Sequence, residues 1–308
     1  MPKKYTLLST GEILIDFIGM QTTTSLLEAT NFQRFQGGSP ANLAGNMARL
    51  GGKVALVSAV GADNLGVFLV DEITKTGIDT THIVTTNEQP TSIVVVSKTA
   101  GTPDFVAYRT ADRMLLPEHF PDSLLAETSI FHTTCFALSQ EPAQSSIVMA
   151  AQRAAQLGCQ VSIDCNYAPS IWPNRSQAWQ VIGKYCSAAA FVKLSEDDAE
   201  RLYSYKVENE QIIHDFHEMG ARLVCLTLGG DGAIISYENG EKNHRIFGQK
   251  IEVVDATGAG DAFWSGFLTA YLDQKTIPEC ADAATKMAVL KLGHLGPLPA
   301  KVDKSLIY

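Results

Sequence analysis

"DATGAGDAFWSGFLTAYLD", residues 255–273, places two carboxylates, Asp255 and Asp261, on either side of Gly258-Ala259-Gly260, a segment almost without side chains. Phe263, Phe267, Ala270 and Tyr271 recur at helical spacing, so a helix is expected to begin near Ala259 or Gly260 and to bury that face. The bare segment is then a helix N-terminus, where free N–H groups and the positive end of the dipole attract an anion and a phosphate can approach the backbone. Asp261, in the first turn, would face that anion. A carboxylate is repulsive there unless it does chemistry, and taking a proton from an attacking hydroxyl is the chemistry that suits it. The plainer alternative is a first-turn acid that complements the dipole. Two rival glycine motifs fail on single residues. Phe263 occupies the last position of a dinucleotide G-x-G-x-x-G, and in "GADNLGVF", 61–68, Val67 replaces the lysine of a phosphate-binding loop.

A second helix reads out of "QGGSPANLAGNMARLGG", 36–52, with Ser39 and Pro40 as N-cap and first helical residue, Leu43, Met47 and Leu50 as the buried stripe, and Gly51 or Gly52 closing it. Asn42 in its first turn can cap the helix or hydrogen-bond a polyhydroxy ligand that enters over Gly37 and Gly38. In "GEILIDFIG", 11–19, Asp16 sits inside an apolar strand. A lone buried carboxylate is costly, so Asp16 is expected to be paired, hydrogen-bonded or at a site.

Short β-branched runs recur at 53–61, 92–100, 159–166, 189–195 and 221–230, and several alternate with helical segments such as 142–158, which ends on Gly158. That alternation implies an α/β fold, a three-layer sandwich whose mainly parallel central sheet is covered on both faces. Segments of about 12–36 and 84–112 are richer in Thr and alternate like exposed antiparallel strands, so they are expected to form a small β-sheet lid over a site. Without repeats, low-complexity tracts or linkers, residues 1–308 read as one domain.

The chain carries 24 Lys plus Arg against 33 Asp plus Glu, a net charge of −9, and no basic run, which argues against nucleic acid and anionic lipid as partners. Six cysteines scattered through apolar runs, with no C-x-x-C pair, suggest buried thiols in a reducing compartment. Glu12 and Asp16 interrupt the apolar N-terminal stretch, which reads as a strand and not as a signal peptide, and no apolar run is long enough to cross a bilayer. The expectation is a soluble cytoplasmic protein. His214 and His217 lack further ligands for a metal and read as a solvated helix face, while Trp172, Trp179 and Trp264 read as packing.

These stretches together resemble the ribokinase-like, or PfkB, carbohydrate kinases. "DATGAGDAFWSGFL" is similar to their D-T-x-G-A-G-D signature and "GGSPANLAGNMARLG" to their G-G-x-x-x-N signature. Between them, "KLSEDDAERL" (193–202) and "LTLGGDGA" (226–233) resemble the nucleotide-binding segments, so the likeness spans nearly the whole chain. "FVAYRTADRML" (105–115) and "SIDCNYAPSIWPN" (162–174) look most like fructokinases and 2-keto-3-deoxygluconate kinases, the latter stretch like their D-x-N-x-R-x-x-x-W segment.

The resemblance implies that Asp261 is the general base and that the N–H groups of Gly258, Ala259 and Gly260 form an anion hole for the transferring phosphoryl. It implies sugar contacts from Asp16, Gly37, Gly38, Asn42, Tyr108, Arg109, Asp164 and Asn166, and ATP contacts from Lys193, Ser195, Thr227, Gly229, Gly230, Gly232 and Asp282. It further implies a monovalent-cation site, for potassium, at Asp255 and Thr257, and a water-mediated magnesium contact at Asp198. The implied cofactors are ATP and Mg2+. An exposed lid edge, whose unpaired strand attracts partners, leads to the expectation of a homodimer through the lid. Ala168 stands where the family has an arginine, Ala256 replaces a Thr, Ser195 and Asp198 replace an N-x-x-E pair, Asp282 lies where an Asn often approaches the base, and His294 to Gly296 vary the cation loop.

The expected activity is transfer of the γ-phosphoryl of ATP to a sugar hydroxyl, most specifically by a fructokinase. The alternatives are a 2-keto-3-deoxygluconate kinase or other PfkB sugar kinase and, in a different class, a non-catalytic sugar- or nucleotide-binding regulator, which Ala168 and Ser195 motivate. A dinucleotide-dependent oxidoreductase is disfavoured by Phe263.

Overall fold

The computed structural model describes residues 3–99 and 104–308. Residues 100–103 of the expected lid, with the last residue of the 92–100 run, lie outside the described residues. The strands are β1 (Tyr5–Thr10), β2 (Leu14–Thr22), β3 (Phe32–Gly37), β4 (Val54–Gly61), β5 (Ile83–Thr86), β6 (Ile93–Lys98), β7 (Phe105–Tyr108), β8 (Thr128–Thr134), β9 (Gln160–Asp164), β10 (Phe191–Ser195), β11 (Leu223–Thr227), β12 (Gly232–Tyr237) and β13 (Lys242–Phe247). The helices are α1 (Ser39–Arg49), α2 (Asn64–Thr74), α3 (Asp122–Ala126), α4 (Ala143–Gln156), α5 (Arg175–Cys186), α6 (Glu196–Tyr203), α7 (Asn209–Glu218), α8 (Ala259–Leu272) and α9 (Ile277–Leu292).

Nine strands form the central sheet in the order β13-β12-β11-β10-β9-β8-β1-β4-β5, parallel except where β12 pairs with β11 and β13. Strands buried on both faces need apolar residues at successive positions, and β1 shows why its run is continuous. Leu8 joins the core built with Ile147, Ile182 and Phe216 of α4, α5 and α7, whereas Leu7 joins the core built with Leu43, Phe267 and Met287 of α1, α8 and α9. Each such side chain contributes roughly 1.5–3 kcal/mol on burial. The expected three layers are therefore present. All six cysteines are buried and unpaired, and among the described residues no helix is long and apolar enough to cross a membrane.

The second sheet has the order β3-β2-β6-β7. Its outer pairs are antiparallel as expected, but the central β2–β6 pair is parallel. After β3 the chain runs through α1, β4, α2 and β5 before it returns in β6, so β6 enters from the same side as β2. The structure also assigns residues 83–86 to the central sheet, where β5 pairs with β4, and not to the lid.

Two helix expectations need correction. Helix α8 buries every residue from Asp261 to Ala270 and not one face alone, because it is enclosed by the sheet, α1 and α9. Helix α1 begins after an N-cap at Gly38, which has φ 108°, and Ser39 makes no cap bond. A Cβ at Gly38 would come 2.3 Å from the Glu12 carbonyl, so only glycine lets the chain turn from β3 into α1 at this point.

Candidate active site

The parallel strands of the central sheet end on one edge, at Thr10, Gly61, Thr134, Asp164, Ser195 and Thr227. In open α/β sheets the crevice beyond the carboxyl ends of the strands is where ligands bind. Here the N-termini of α1 and α8 converge on it. Ser39 donates its hydroxyl to Asp261 Oδ1 at 2.6 Å, and Asn42 Nδ2 donates to Asp261 Oδ2 at 3.1 Å. Neither residue caps its own helix, since the acceptor they share lies across the helix pair. Gln36 of β3 reaches Asn42 Oδ1 at 3.4 Å and ties the lid to this cluster.

Asp261 is 8 % exposed, and burial raises its carboxyl above the usual range, opposed by the Ser39 hydroxyl, by the Lys193 ammonium and by Asn42. A carboxylate held by neutral donors beside a cation can accept a proton without being locked in an ion pair. Gly258 caps α8 with φ 74°, a left-handed conformation that glycine adopts freely; of the first N–H groups of α8, that of Ala259 bonds the Ala256 carbonyl at 3.2 Å, while those of Gly260 and Asp261 have no helical partner. The Lys193 Nζ sits 2.9 Å from where a Cβ on Gly260 would be. The small residues thus admit both an anion and an ammonium to the same helix end.

Lys193 is itself fixed from below. Its Nζ donates to both oxygens of Asp164, at 3.0 and 2.8 Å, from the middle of β10 to the end of the paired strand β9. Burial would lower the ammonium, but the Asp164 carboxylate outweighs it, with Asp198 and Asp261 adding, and Lys193 is held protonated. Asp164 was expected at the sugar and Lys193 at ATP; the structure makes them one buried pair under the anion hole. That pairing carries no sequence signal, because the residues lie on separate strands.

On the lid, the Asp16 carboxylate lies over Gly37, where a Cβ would come 2.1 Å from Oδ2. Among the described residues it has no hydrogen-bond or ion-pair partner, and burial alone pushes it up from 3.8 to about 7. A proton bound more tightly in the folded than in the unfolded chain means that stability falls as pH rises from about 4 to about 7. Asp16→Asn is therefore expected to raise stability at pH 8 by roughly 1–3 kcal/mol, at about 1.4 kcal/mol per unit, and to give no gain at or below pH 4. The same change should weaken binding of a polyhydroxy ligand about 10-fold or more, since bonds to a charged acceptor are the strong ones. Thermal unfolding at both pH values checks this; a less stable Asn variant at pH 8 would mean that the carboxylate is paired.

The two lid residues expected to join Asp16 are placed otherwise. Register aligns Asp16 with Val94 and Ala107, whereas Tyr108 aligns with Ile93 and Ile15, on the opposite face, and is 57 % exposed. Arg109 donates through Nε to Asp112 Oδ2 at 2.8 Å and through Nη1 to the Phe136 carbonyl at 2.5 Å, with its guanidinium over the Phe136 ring. It fastens the end of β7 to the loop after β8. Glu12 is the buried acid that sequence reasoning passed over: it is 2 % exposed, accepts from Thr134 at 3.0 Å, and burial pushes it up to about 8 against the pull of Arg109.

The residues expected around ATP divide. Gly229 and Gly230 have open space around them in the turn after β11, and Thr227 ends that strand. Gly232 is instead required by the β12–β13 pairing, because a Cβ there would come 2.1 Å from the Ile246 carbonyl. Ser195 and Asp198 form the capping box of α6, with Ser195 Oγ donating to Asp198 Oδ2 at 2.6 Å and Arg201 holding Oδ1 at 3.1 Å. Asp282 is exposed on α9, nine residues from Lys291 and hence about 14 Å along the helix from the end that meets the anion hole. Asn166 accepts from the Phe136 N–H at 3.2 Å, and Ala168 sits in a loop closed by the Tyr167 hydroxyl on the Trp172 carbonyl at 2.7 Å.

The expected cation site is occupied by protein. Asp255 Oδ1 accepts from the Thr257 N–H at 2.9 Å, and Oδ2 accepts from Lys291 Nζ and the Gly296 N–H, both at 3.1 Å. Burial would raise Asp255, yet the Thr257 N–H, Lys291 and the Gly296 N–H together lower it to about 2. A carboxylate already bonded on both oxygens and neutralised by an ammonium does not fit a monovalent metal ion. Elsewhere, His217 uses both ring nitrogens on the Ala221 carbonyl and Ser236, at 2.8 and 3.0 Å, so it is a structural histidine and not part of a solvated face. No cluster of three or more metal-ligating side chains occurs among the described residues.

Comparison with known proteins gives a consistent result. The family model described as "pfkB family carbohydrate kinase" matches residues 4–303. An ATP-dependent 6-phosphofructokinase of Thermoanaerobacterium thermosaccharolyticum is 34% identical over 296 residues, covering 96% of this chain and 90% of that protein. The solved structure of Halothermothrix orenii fructokinase is 36% identical with a TM-score of 0.79, over 92% of this chain and 98% of the other. That of Xylella fastidiosa fructokinase with bound ATP is 28% identical with a TM-score of 0.83, over 99% and 97%.

Proposed function

The chain belongs to the pfkB family of carbohydrate kinases and is a sugar kinase, and on that premise we propose that it is a fructokinase. The observation that carries the reading is Asp261, buried at the N-terminus of α8 with Ser39 and Asn42 as neutral donors and Lys193 beside it. In the free protein Ser39 and Asn42 hold the carboxylate in place. When sugar enters, its primary hydroxyl bonds to Asp261, which takes the proton as the oxygen attacks the γ-phosphorus. The phosphoryl oxygens are received by the N–H groups of Gly258 and Gly260, and by that of Ala259 once it leaves the Ala256 carbonyl, and the Lys193 ammonium offsets the charge that develops. Asp16 and Asn42 bond the remaining sugar hydroxyls, which gives the unpaired carboxylate of Asp16 its partner. ATP arrives with its magnesium and lies over the open turn at Gly229 and Gly230, and closing the lid excludes water that would otherwise take the phosphoryl group.

A second reading follows from the relative named 6-phosphofructokinase, with fructose 6-phosphate as the acceptor. A second phosphate needs a cation facing it. On the lid face that carries Asp16, Arg109 is committed to Asp112, and Lys98 lies four residues along β6 from Val94, about 13 Å away. Arg34 is on the other face, stacked over Phe68. An unphosphorylated sugar fits these surroundings better.

The test is ATP consumption with fructose, fructose 6-phosphate, ribose and 2-keto-3-deoxygluconate. The expected result is a kcat/KM for fructose at least 10-fold above each of the others, the discrimination that one or two unmet polar groups supply. Preference for fructose 6-phosphate would overturn the proposal in favour of the second reading. Sugar binding without turnover on the whole panel would support a regulator.

A further inference from the structure

Lys291 is a buried lysine in the last turn of α9, its side chain 8% exposed, and sequence reasoning gave it no role. Its Nζ bonds Asp255 Oδ2 at 3.1 Å and the His294 carbonyl at 3.3 Å. Its Cε lies 3.9 Å from where a Cβ on Gly258 would be, against the N-cap of α8. The same two strands of chain are strapped by backbone bonds from Val254 and Asp255 to the Leu292 carbonyl, at 2.8 and 3.3 Å. One ammonium therefore joins the loop that leads into the anion hole to the loop that leaves α9.

We propose that the Lys291 ammonium is a resident cation of the anion hole, which does the work of an exchangeable monovalent ion and makes the enzyme independent of potassium. A cation in this position has two tasks, and Lys291 meets both. It neutralises Asp255, whose negative charge would otherwise lie beside the incoming phosphoryl, and it holds the 255–258 turn against the N-terminus of α8. Lysine supplies both with three donors on a covalent arm, at no cost in binding an ion from solution, and the C-terminal end of α9 favours a positive group there. The proposal rests on the kinase reading only in calling the bound anion a phosphoryl group.

The experiment compares the wild-type protein in potassium chloride and in tetramethylammonium chloride, whose cation is too large to enter. The expected result is fructose-dependent ATP turnover, and ATP affinity by calorimetry, within twofold in the two salts. Potassium stimulation of about 10-fold or more, the scale of losing one electrostatic element of such a hole, would overturn it. Lys291→Met keeps the arm and removes the charge; it is expected to lose turnover by about 10-fold or more in tetramethylammonium and to regain part of it in potassium. Wild-type activity of that variant in both salts would likewise sink the idea. The ATP affinities keep the two proposals apart. Absence of fructose turnover in either salt defeats the fructokinase reading, while equal or unequal ATP binding in the two salts still decides the role of Lys291.

Discussion

Asp261→Asn is expected to leave the chain folded, to keep ATP affinity within a few-fold, and to lower kcat by roughly 10²–10⁴-fold, the range for loss of a positioned general base. Asparagine keeps the shape and one acceptor for Ser39, which donates at 2.6 Å in the wild type, but it cannot take a proton. The pH profile supplies the sign. In the wild type the acidic limb of kcat/KM reports protonation of Asp261, and burial places that limb above the ordinary aspartate range. The variant should lose this limb and keep a low, flat rate. Turnover near the wild-type value, or an unchanged acidic limb, would assign the proton to another group.

The second large effect belongs to Lys193→Met. Its ammonium is bonded to both oxygens of Asp164, and the pair is 6% and 2% exposed. Removing one partner strands a buried charge, which costs about 3–5 kcal/mol of stability. Without Lys193 the Asp164 carboxyl is raised above its unfolded value by burial, so the deficit is small at acid pH and grows as pH climbs above the unfolded carboxylate range. Lys193→Met/Asp164→Asn removes both charges and should recover most of the stability. It should not recover turnover, because the ammonium beside Gly260 is still missing. Denaturant unfolding and kcat of the single and double variants separate the structural role from the catalytic one. A single variant destabilised by less than about 1 kcal/mol would show that the pair is not an ion pair in solution.

Much of the fold could be read from local pattern. The apolar runs of β1, β4, β9, β10 and β11 and the helical period of α4 follow from burial on both faces of a parallel sheet, and a strand rule finds them without knowing their neighbours. The lid was visible as a change of rhythm, but the parallel β2–β6 pair was not, since sequence alternation does not encode which strand lies alongside. At the site, Asp261 and its bare helix start were recoverable because anion binding by a helix end is a local property of the backbone. Ser39 shows the limit. Its position before Pro40 is that of an N-cap, and only the approach of α1 to α8 diverts the hydroxyl 222 residues along the chain to Asp261. Arg109 and Tyr108 show a related limit: Tyr108 leaves the strand face opposite to Asp16, and Asp112 lies close enough to take the Arg109 guanidinium, neither of which the sequence encodes.

Electrostatics separates the two levels most sharply. Asp255 and Asp261 flank one glycine-rich turn, and the sequence by itself determined that this turn opens a helix, which made an anion between them the expectation. Which charge each acid faces was decided only by tertiary structure. The Thr257 N–H, Lys291 from 36 residues away and the Gly296 N–H together draw the Asp255 carboxyl down to about 2 against burial, while burial raises Asp261 against the pull of Ser39, Lys193 and Asn42. The reason is one of range. Hydrogen bonding and helix dipoles act within a turn or two of chain, whereas desolvation and ion pairing depend on everything packed nearby, so two aspartates six residues apart acquire opposite properties.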